Sequence, residues 1–196
     1  MRGLPPALLT AFTVAVASLA SAGSAAAQPI ETVHEERDGW ALGYTLHRFQ
    51  DDFGTGASLT TPFFLRHSLR VTLAGGVSWS PNAVTDEGDQ DWARYGEARL
   101  VLEGGARAEG SPVRLYGFGG PMLLALPSRL SDDELAFGGI GGFGFEYYFM
   151  HGGKDGPVSY FTELGGAGTG ARADKQPGRP MLANGFFVTV GLRLTL

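Results

Sequence analysis

Two histidine–serine pairs, His47 with Ser58 and His67 with Ser68, have the residue types that nucleophilic catalysis requires. A serine nucleophile needs a general base within hydrogen-bond reach. His67 and Ser68 are neighbours in the sequence, so their side chains point apart. Nothing in the spacing brings His47 to Ser58. The sequence therefore predicts no catalytic residue.

Three further stretches contain residue types found in binding sites but lack the context that such sites need. Gly139–Gly144 matches the pattern G-x-G-x-x-G, which binds dinucleotides only where a helix follows it, and here strand-like alternation continues on both sides. The acidic run Asp86–Asp91 lacks the spacing of an EF-hand. We interpret this run as a solvated loop, and likewise the stretch that contains Arg172, Lys175 and Arg179. We predict no cofactor and no metal.

Charged residues recur on the polar side of a two-residue alternation. The only lysines are Lys154 and Lys175, although a solvated face would more often use lysine. Four arginines balance four glutamates, and an unpaired buried charge costs several kcal/mol. We therefore predict a structural charge network in an enclosed interior, made of Arg70, Glu97, Arg99, Glu103, Arg114, Glu146, Glu163 and Arg193.

Arg114 is the predicted centre of this network. If the turn before it centres near Ala108 and the loop after it near Leu130, both Glu103 and Glu146 lie beside Arg114 on neighbouring strands. Cross-strand neighbours on one face have Cβ atoms about 4.5–5.5 Å apart. A guanidinium has five N–H donors and can serve two carboxylates at once. The pattern predicts a Glu103–Arg114–Glu146 row.

The elements that must position these charges are β-strands, and the last eleven residues, Phe186–Leu196, show this best. Apolar residues occupy one parity, from Phe186 to Leu196, while Thr189, Arg193 and Thr195 lie on the other. Such alternation is typical of a strand with one apolar and one polar face. Its length matches the roughly 9–11 residues that a tilted strand needs to cross a bilayer.

Seven earlier segments resemble this one, at about 40–50, 56–66, 69–79, 92–103, 112–124, 134–149 and 157–165, the fifth becoming irregular after 118. Eight such segments predict an all-β fold, an eight-stranded antiparallel up-and-down transmembrane β-barrel.

Longer connections follow the third, fifth and seventh strands, which places both termini in the periplasm. Aromatic residues near strand ends favour lipid outside over a soluble barrel with an apolar interior; these are Trp40, Trp79, Trp92, Tyr147, Phe149 and Phe186.

The N-terminus has the features of a secretory signal. Arg2 precedes an apolar run from about Leu8 to Leu19, and Ala25–Ala27 supplies small residues before a cleavage site at Gln28. We predict a signal peptide at 1–27, a periplasmic lead-in at 28–38 and a barrel at 39–196.

The charge of the chain after the signal peptide is negative. Without Arg2 the chain has 14 basic and 20 acidic residues, since the whole chain has 15 and 20. This net −6 argues against a nucleic-acid partner, and the absence of cysteine excludes disulfides.

The alternating segments and the apolar C-terminal strand resemble the small outer-membrane β-barrels of the OmpA/OmpX type. The final residue of that family is usually aromatic, whereas here it is Leu196. The resemblance implies the outer membrane of a Gram-negative bacterium. It also implies contact with lipid and lipopolysaccharide, and recognition of the last strand by the outer-membrane assembly machinery.

Because nothing in the sequence fixes a general base within reach of a nucleophile, we expect a non-enzymatic function. We expect an integral outer-membrane protein with a side-chain-filled lumen and a structural or surface-interaction role. One alternative is a narrow channel for small or apolar solutes. Another is a barrel enzyme that modifies lipid.

Overall fold

The computed structural model describes residues 38–65, 68–84, 88, 90–108, 111–151 and 154–196. The predicted signal peptide, most of the lead-in, His67 and most of the acidic run lie outside these residues. Eight strands form the described part: β1 (Ala41–Phe49), β2 (Asp52–Thr60), β3 (Leu69–Val84), β4 (Gln90–Arg107), β5 (Val113–Ala125), β6 (Leu135–His151), β7 (Lys154–Gly168) and β8 (Gly185–Thr195).

Each strand pairs antiparallel with the next, and β8 pairs with β1, so the sheet closes into a barrel. This confirms the predicted all-β, eight-stranded, antiparallel up-and-down barrel. Within the described residues, no helix has the length and apolar character needed to cross a membrane.

The strands place polar side chains inside and apolar side chains outside. On β8, Phe187, Thr189 and Arg193 are buried in the interior. On the other parity, Phe186 is 59%, Leu192 50% and Leu194 44% exposed. Similar exposed leucines and aromatics occur on every strand, and monomeric soluble proteins rarely expose so much contiguous apolar surface.

We call the end of the barrel where β1 begins and β8 finishes the terminal end, and the opposite end the loop end. The loop-end connections 126–134 and 169–184 are long, as predicted. The first loop-end connection, in contrast, is only the two-residue turn 50–51. The terminal-end connection 61–68 is longer than the predicted turn at 66–68, so the contrast between the two ends is weaker than predicted.

The predicted bounds of β2 were wrong at both ends. The strand begins at Asp52 and stops at Thr60, before Pro62, which has no N–H to donate to the ladder. A strand continued to 66, as predicted, would place Phe63 on the outward face together with Leu59. Its ring instead lies under the guanidinium groups of Arg70 and Arg114, with 4.9 and 4.8 Å from ring centroid to Cζ. Phe63 therefore covers the interior at the terminal end.

Two other predicted segments are longer and more regular than expected. β3 and β4 continue into most of the predicted 80–91 loop, reaching Val84 and Gln90 with a register shift between Ser80 and Ala83. The fifth strand, predicted to be irregular after 118, pairs with β6 without a break from Val113 to Ala125.

Two glycines on the inner wall make room for aromatic rings. A Cβ at Gly144 would overlap the Tyr116 ring, and one at Gly191 would meet the Phe161 ring. We expect Gly144→Ala to lower the free energy of unfolding by about 1–3 kcal/mol, the usual cost of overpacking. The ring would have to leave its place, where the Tyr116 hydroxyl donates to Glu163 at 3.0 Å.

Urea unfolding of the refolded protein measures this change, and Gly117→Ala is the matched control. A Cβ at Gly117 would find its nearest neighbour at 3.8 Å, an ordinary contact. Equal stability of the two variants would show that Tyr116 moves at no cost.

Candidate functional site

The interior of the barrel is the candidate site, and it contains all eight charged residues of the predicted network. None of them is more than 9% exposed. Seven of them divide into two groups by height, one in the terminal half of the barrel and one near its middle, and the eighth is Glu163.

The terminal half contains a ring of four alternating charges. The Arg70 Nε donates to Glu103 at 2.7 Å, and its Nη2 donates to Glu146 at 2.5 Å. Arg193 bridges the same two carboxylates from the opposite wall, with 2.9 Å to Glu103 and 3.1 Å to Glu146. Each arginine thus contacts both glutamates, and each glutamate contacts both arginines. We call these four residues the charge ring.

Neighbouring hydroxyl groups complete the coordination of the two carboxylates. Thr72 donates to Glu103 at 2.6 Å, and Ser159 donates to Glu146 at 2.6 Å. Tyr148 adds a third donor to Glu146 at 3.2 Å. Charge-assisted hydrogen bonds of this kind are roughly twice as strong as neutral ones, so the charge ring is a well-satisfied cluster across the lumen.

Arg114 is not the centre of the network, and the predicted Glu103–Arg114–Glu146 row was half wrong. Arg114 does lie opposite Glu146 on β6. On its other side it lies opposite Arg107, because β4 continues to Arg107 and β5 begins only at Val113, and Glu103 instead faces Phe118.

The contacts of Arg114 are correspondingly weak. Its Nη1 lies 3.7 Å from Glu103, and its Nη2 donates to the Ser68 carbonyl at 3.4 Å. The guanidinium rests mainly between the rings of Phe63 and Tyr116.

The sequence did not reveal why β4 continues to Arg107. Arg107 is buried and donates to both Asp155 on β7 and the carbonyl of Ser111. Its guanidinium also lies 4.8 Å from the ring centroid of Tyr148. Because Asp155 falls outside the predicted bounds of the seventh strand, this pair could have been found only by extending the predicted fourth strand to Arg107 and starting the seventh before Asp155.

The second group of charges lies nearer the loop end, and Glu97 is at its centre, beside Arg99 and His47. Its carboxylate lies 3.2 Å from Arg99 and 3.3 Å from His47 Nε2, and it accepts a 3.2 Å hydrogen bond from Ser78. His47 Nε2 is also 2.9 Å from the Ser78 hydroxyl. Glu163 lies apart from both groups and accepts from Tyr116.

This histidine, serine and glutamate are not arranged as a catalytic triad. In a triad the two imidazole nitrogens have different partners, one the nucleophile and the other the acid. Here Nε2 contacts both Ser78 and Glu97, and Nδ1 has no hydrogen-bond partner among the residues that the structure describes. All three side chains are sealed from solvent. Within the same described residues, the Ser58 hydroxyl has no partner either.

An apolar layer closes the barrel at the loop end. Phe49 and Phe118 both contact Phe187, with their ring centroids 5.6 and 6.0 Å from that of Phe187. Around them pack buried residues of the strands and of the two long loops, namely Ala93, Tyr95, Met122, Leu124, Leu126, Leu130, Ala171, Ala173, Leu182 and Ala183. We call this set the apolar cap.

The two long loops are bound to each other and to the barrel wall. Asp52 accepts hydrogen bonds from the Tyr95 hydroxyl at 2.7 Å and from the Ala183 amide at 3.1 Å. Lys175, predicted to be simply solvated, pairs with Asp132 at 3.0 Å and donates to the Ser128 carbonyl at 2.7 Å. The 169–184 loop is therefore part of the closure of the barrel. Arg172 and Arg179 are exposed, as predicted.

Between the apolar cap and the charge ring lies a cavity of about 30 Å³. A water molecule needs about 10–15 Å³ measured in this way, so the cavity has room for two or three waters at most. Its wall includes the hydroxyls of Thr45, Ser58 and Thr189, which have no protein partner. These groups are the ones that water would satisfy.

Gly139–Gly144 lies wholly within β6, with strand before and after it. No helix follows these glycines, so the pattern lacks the anion-binding helix N-terminus of a dinucleotide site. Of the acidic run, only Gly88, Gln90 and Asp91 are described, and the predicted loop there stays a prediction.

The barrel matches a solved structure in fold. No protein-family model matches the chain, and no curated protein matches it significantly. The crystal structure of the N-terminal β-barrel domain of Pseudomonas aeruginosa OprF superposes with a TM-score of 0.53 at 15% sequence identity, covering 82% of this chain and 98% of that one. The chain therefore has the fold of that domain, an eight-stranded barrel of the small kind that the sequence resembles.

Proposed function

We propose that this chain is an integral outer-membrane β-barrel protein of a Gram-negative bacterium, with a closed lumen and a structural or surface-interaction role. The apolar outer face and the polar inner face match a barrel that has lipid outside. The fold shared with the OprF barrel domain supports the same assignment. Under this proposal the terminal end faces the periplasm and the loop end faces the cell exterior.

The proposed role depends on one observation, namely that the lumen is closed at two levels, by the charge ring and by the apolar cap. The charge ring joins the β3, β4, β6 and β8 walls across the terminal half. The apolar cap fills the loop half. An eight-stranded barrel is just wide enough for side chains to fill it, and the remaining cavity of about 30 Å³ is too small for a solute path.

The surface that this protein would present to partners is the joined pair of loops 126–134 and 169–184. We propose that outer-membrane lipid and lipopolysaccharide surround the barrel, and that the assembly machinery recognises β8 after the signal peptide at 1–27 is removed. The loops are compact because Asp52 and Lys175 hold them, which suits a rigid recognition surface.

We expect the purified protein to show no stable single-channel steps in a planar lipid bilayer. The reason is that an ion would have to displace both the apolar cap and the charge ring. The same preparation must first be shown to have inserted, by its resistance to protease in vesicles. Regular ohmic conductance steps from inserted protein would contradict the closed lumen and favour a channel.

A further inference from the structure

An open groove of about 910 Å³ lies on the outer surface of the barrel, near the loop end. Its floor crosses four neighbouring strands, because Thr55, Val77, Gly96 and Ala125 pair in register from β2 to β5. All four lie on the outward parity, so the floor of the groove faces away from the lumen. Tyr95 and Leu126, both buried members of the apolar cap, also line the groove. Its volume is within the roughly 300–1,000 Å³ range of ligand sites.

Small residues lie on two successive cross-strand rows at this depression, and on the first row they are Gly96 and Ala125. Below the first row, Ala57, Gly75 and Ala98 are likewise paired and exposed. The row below that is built of large side chains, Leu59, Leu73 and Leu100. Together the small residues of the two rows leave a low apolar surface beside the row of leucines, and an acyl chain could lie on this surface.

Two arginines stand at the loop-end rim of the groove. Arg94, paired with Trp79 on β3, and Arg129, in the 126–134 loop, both line it and are both exposed. Arg129 donates to the Trp92 carbonyl at 3.4 Å, which holds it over β4. Among the residues that the structure describes, no carboxylate pairs with either guanidinium. Both are therefore available to an anion.

The height of these arginines suits the boundary of a membrane. Between Leu69 and Trp79, β3 advances about 23 Å along the barrel axis, at about 3.3 Å per residue and a tilt of about 45°. The apolar band of an outer-membrane barrel is about 25 Å tall. If Leu69 marks the periplasmic boundary, Trp79 and Arg94 lie at the outer boundary, with the small-residue rows just inside the hydrocarbon.

We propose that this groove binds the phosphorylated glycolipid of the outer leaflet, with a lipid A phosphate on Arg94 and Arg129 and an acyl chain over Gly96 and Ala98. Guanidinium groups bind phosphate through paired, charge-assisted hydrogen bonds. The combination of a cationic rim and an apolar floor selects a ligand that is anionic at one end and apolar at the other. The site rests on the proposed membrane function, since that function sets the rim at the level of the headgroups.

The test uses the full-length mature protein in detergent micelles with purified diphosphorylated lipid A, and counts bound lipid by native mass spectrometry. We expect Arg94→Gln/Arg129→Gln to weaken binding by roughly tenfold or more, because each hydrogen bond to a charged group contributes about that factor. Gly96→Leu should also weaken binding by filling the groove. Its Cβ would meet the Cβ and the carbonyl oxygen of Ala125 at 3.5 and 3.9 Å, which are ordinary contacts, so the barrel itself tolerates the change.

Arg48→Gln is the control, because Arg48 is also exposed near the loop end on β1 but does not line the groove. It should bind lipid A like the parent. Equal binding by the parent and the double variant, or equal binding of lipid A lacking its phosphates, would overturn the site. Equal binding of phosphatidylglycerol would overturn the identity of the lipid. A protein that inserts into vesicles yet binds no lipid A refutes only the groove, whereas failure to insert refutes the proposed function.

Discussion

Arg70→Met is expected to lower the free energy of unfolding by about 3–5 kcal/mol, the usual cost of removing one partner from a buried ion pair. Arg70 forms the two shortest bonds of the charge ring, to Glu103 and to Glu146. Methionine fills similar space but has no donor. The two carboxylates would then share Arg193 as their main cationic partner, with an excess of negative charge sealed inside the barrel.

Urea titration of the protein folded in lipid vesicles, followed by tryptophan fluorescence, measures this loss. Arg114→Met is the matched control, since it makes the same change in the same half of the lumen. Among the described residues, the polar contacts of Arg114 are a 3.4 Å hydrogen bond and a 3.7 Å ion pair, both longer than those of Arg70, so its variant should retain more stability. If Arg114→Met proved the more damaging change, the charge ring would not be the principal cluster.

A second substitution separates charge balance from packing. Adding Glu146→Gln to Arg70→Met removes one carboxylate and keeps its shape, and the double variant should recover part of the lost stability. Replacing both members of a buried pair is usually far less costly than removing one. A double variant less stable than Arg70→Met alone would indicate that the hydrogen bonds of Glu146 to Ser159 and Arg193 matter more than the net charge.

The membership of the charge network was predictable from the sequence, but its connections were not. Membership depends on parity alone, and a strand alternates strictly, so Arg70, Glu103 and Arg193 had to face the same side as one another. Connections depend on register, which is set where each strand ends. The extension of β4 to Arg107 moved Arg114 away from Glu103, and only the burial of Arg107 against Asp155 accounts for that extension.

The apolar cap could not have been predicted from periodicity, because half of it comes from loops. Leu130, Leu182 and Ala183 belong to no strand, yet they are among the most buried residues of the described chain. Their positions depend on long-range contacts such as Asp52 with the Ala183 amide, 131 residues apart. The sequence did contain one signal for the apolar cap. The longest polar connection, 169–184, also contains isolated apolar residues such as Leu182, which a fully solvated loop would not require.

The residues that face outward along β1, β3 and β8 were also predicted correctly. If this outer face lies in lipid, placing a charge on it should have the second large effect on stability. Leu73→Arg is expected to lower the free energy of unfolding in vesicles by about 2–4 kcal/mol, the cost of a lipid-facing arginine near mid-bilayer. Leu73 is 55% exposed and lies about midway along the span from Leu69 to Trp79. No bond inside the barrel would be lost by this change.

Leu65→Arg is the control for this experiment. Leu65 is 67% exposed and lies in the 61–68 connection at the terminal end, outside the sheet. An arginine near or beyond the interface costs about 0–1 kcal/mol, so this variant should unfold close to the parent. A barrel that carries its apolar face in water would tolerate arginine at both positions. If Leu73→Arg and Leu65→Arg unfolded at the same urea concentration, the outer face would not lie in lipid.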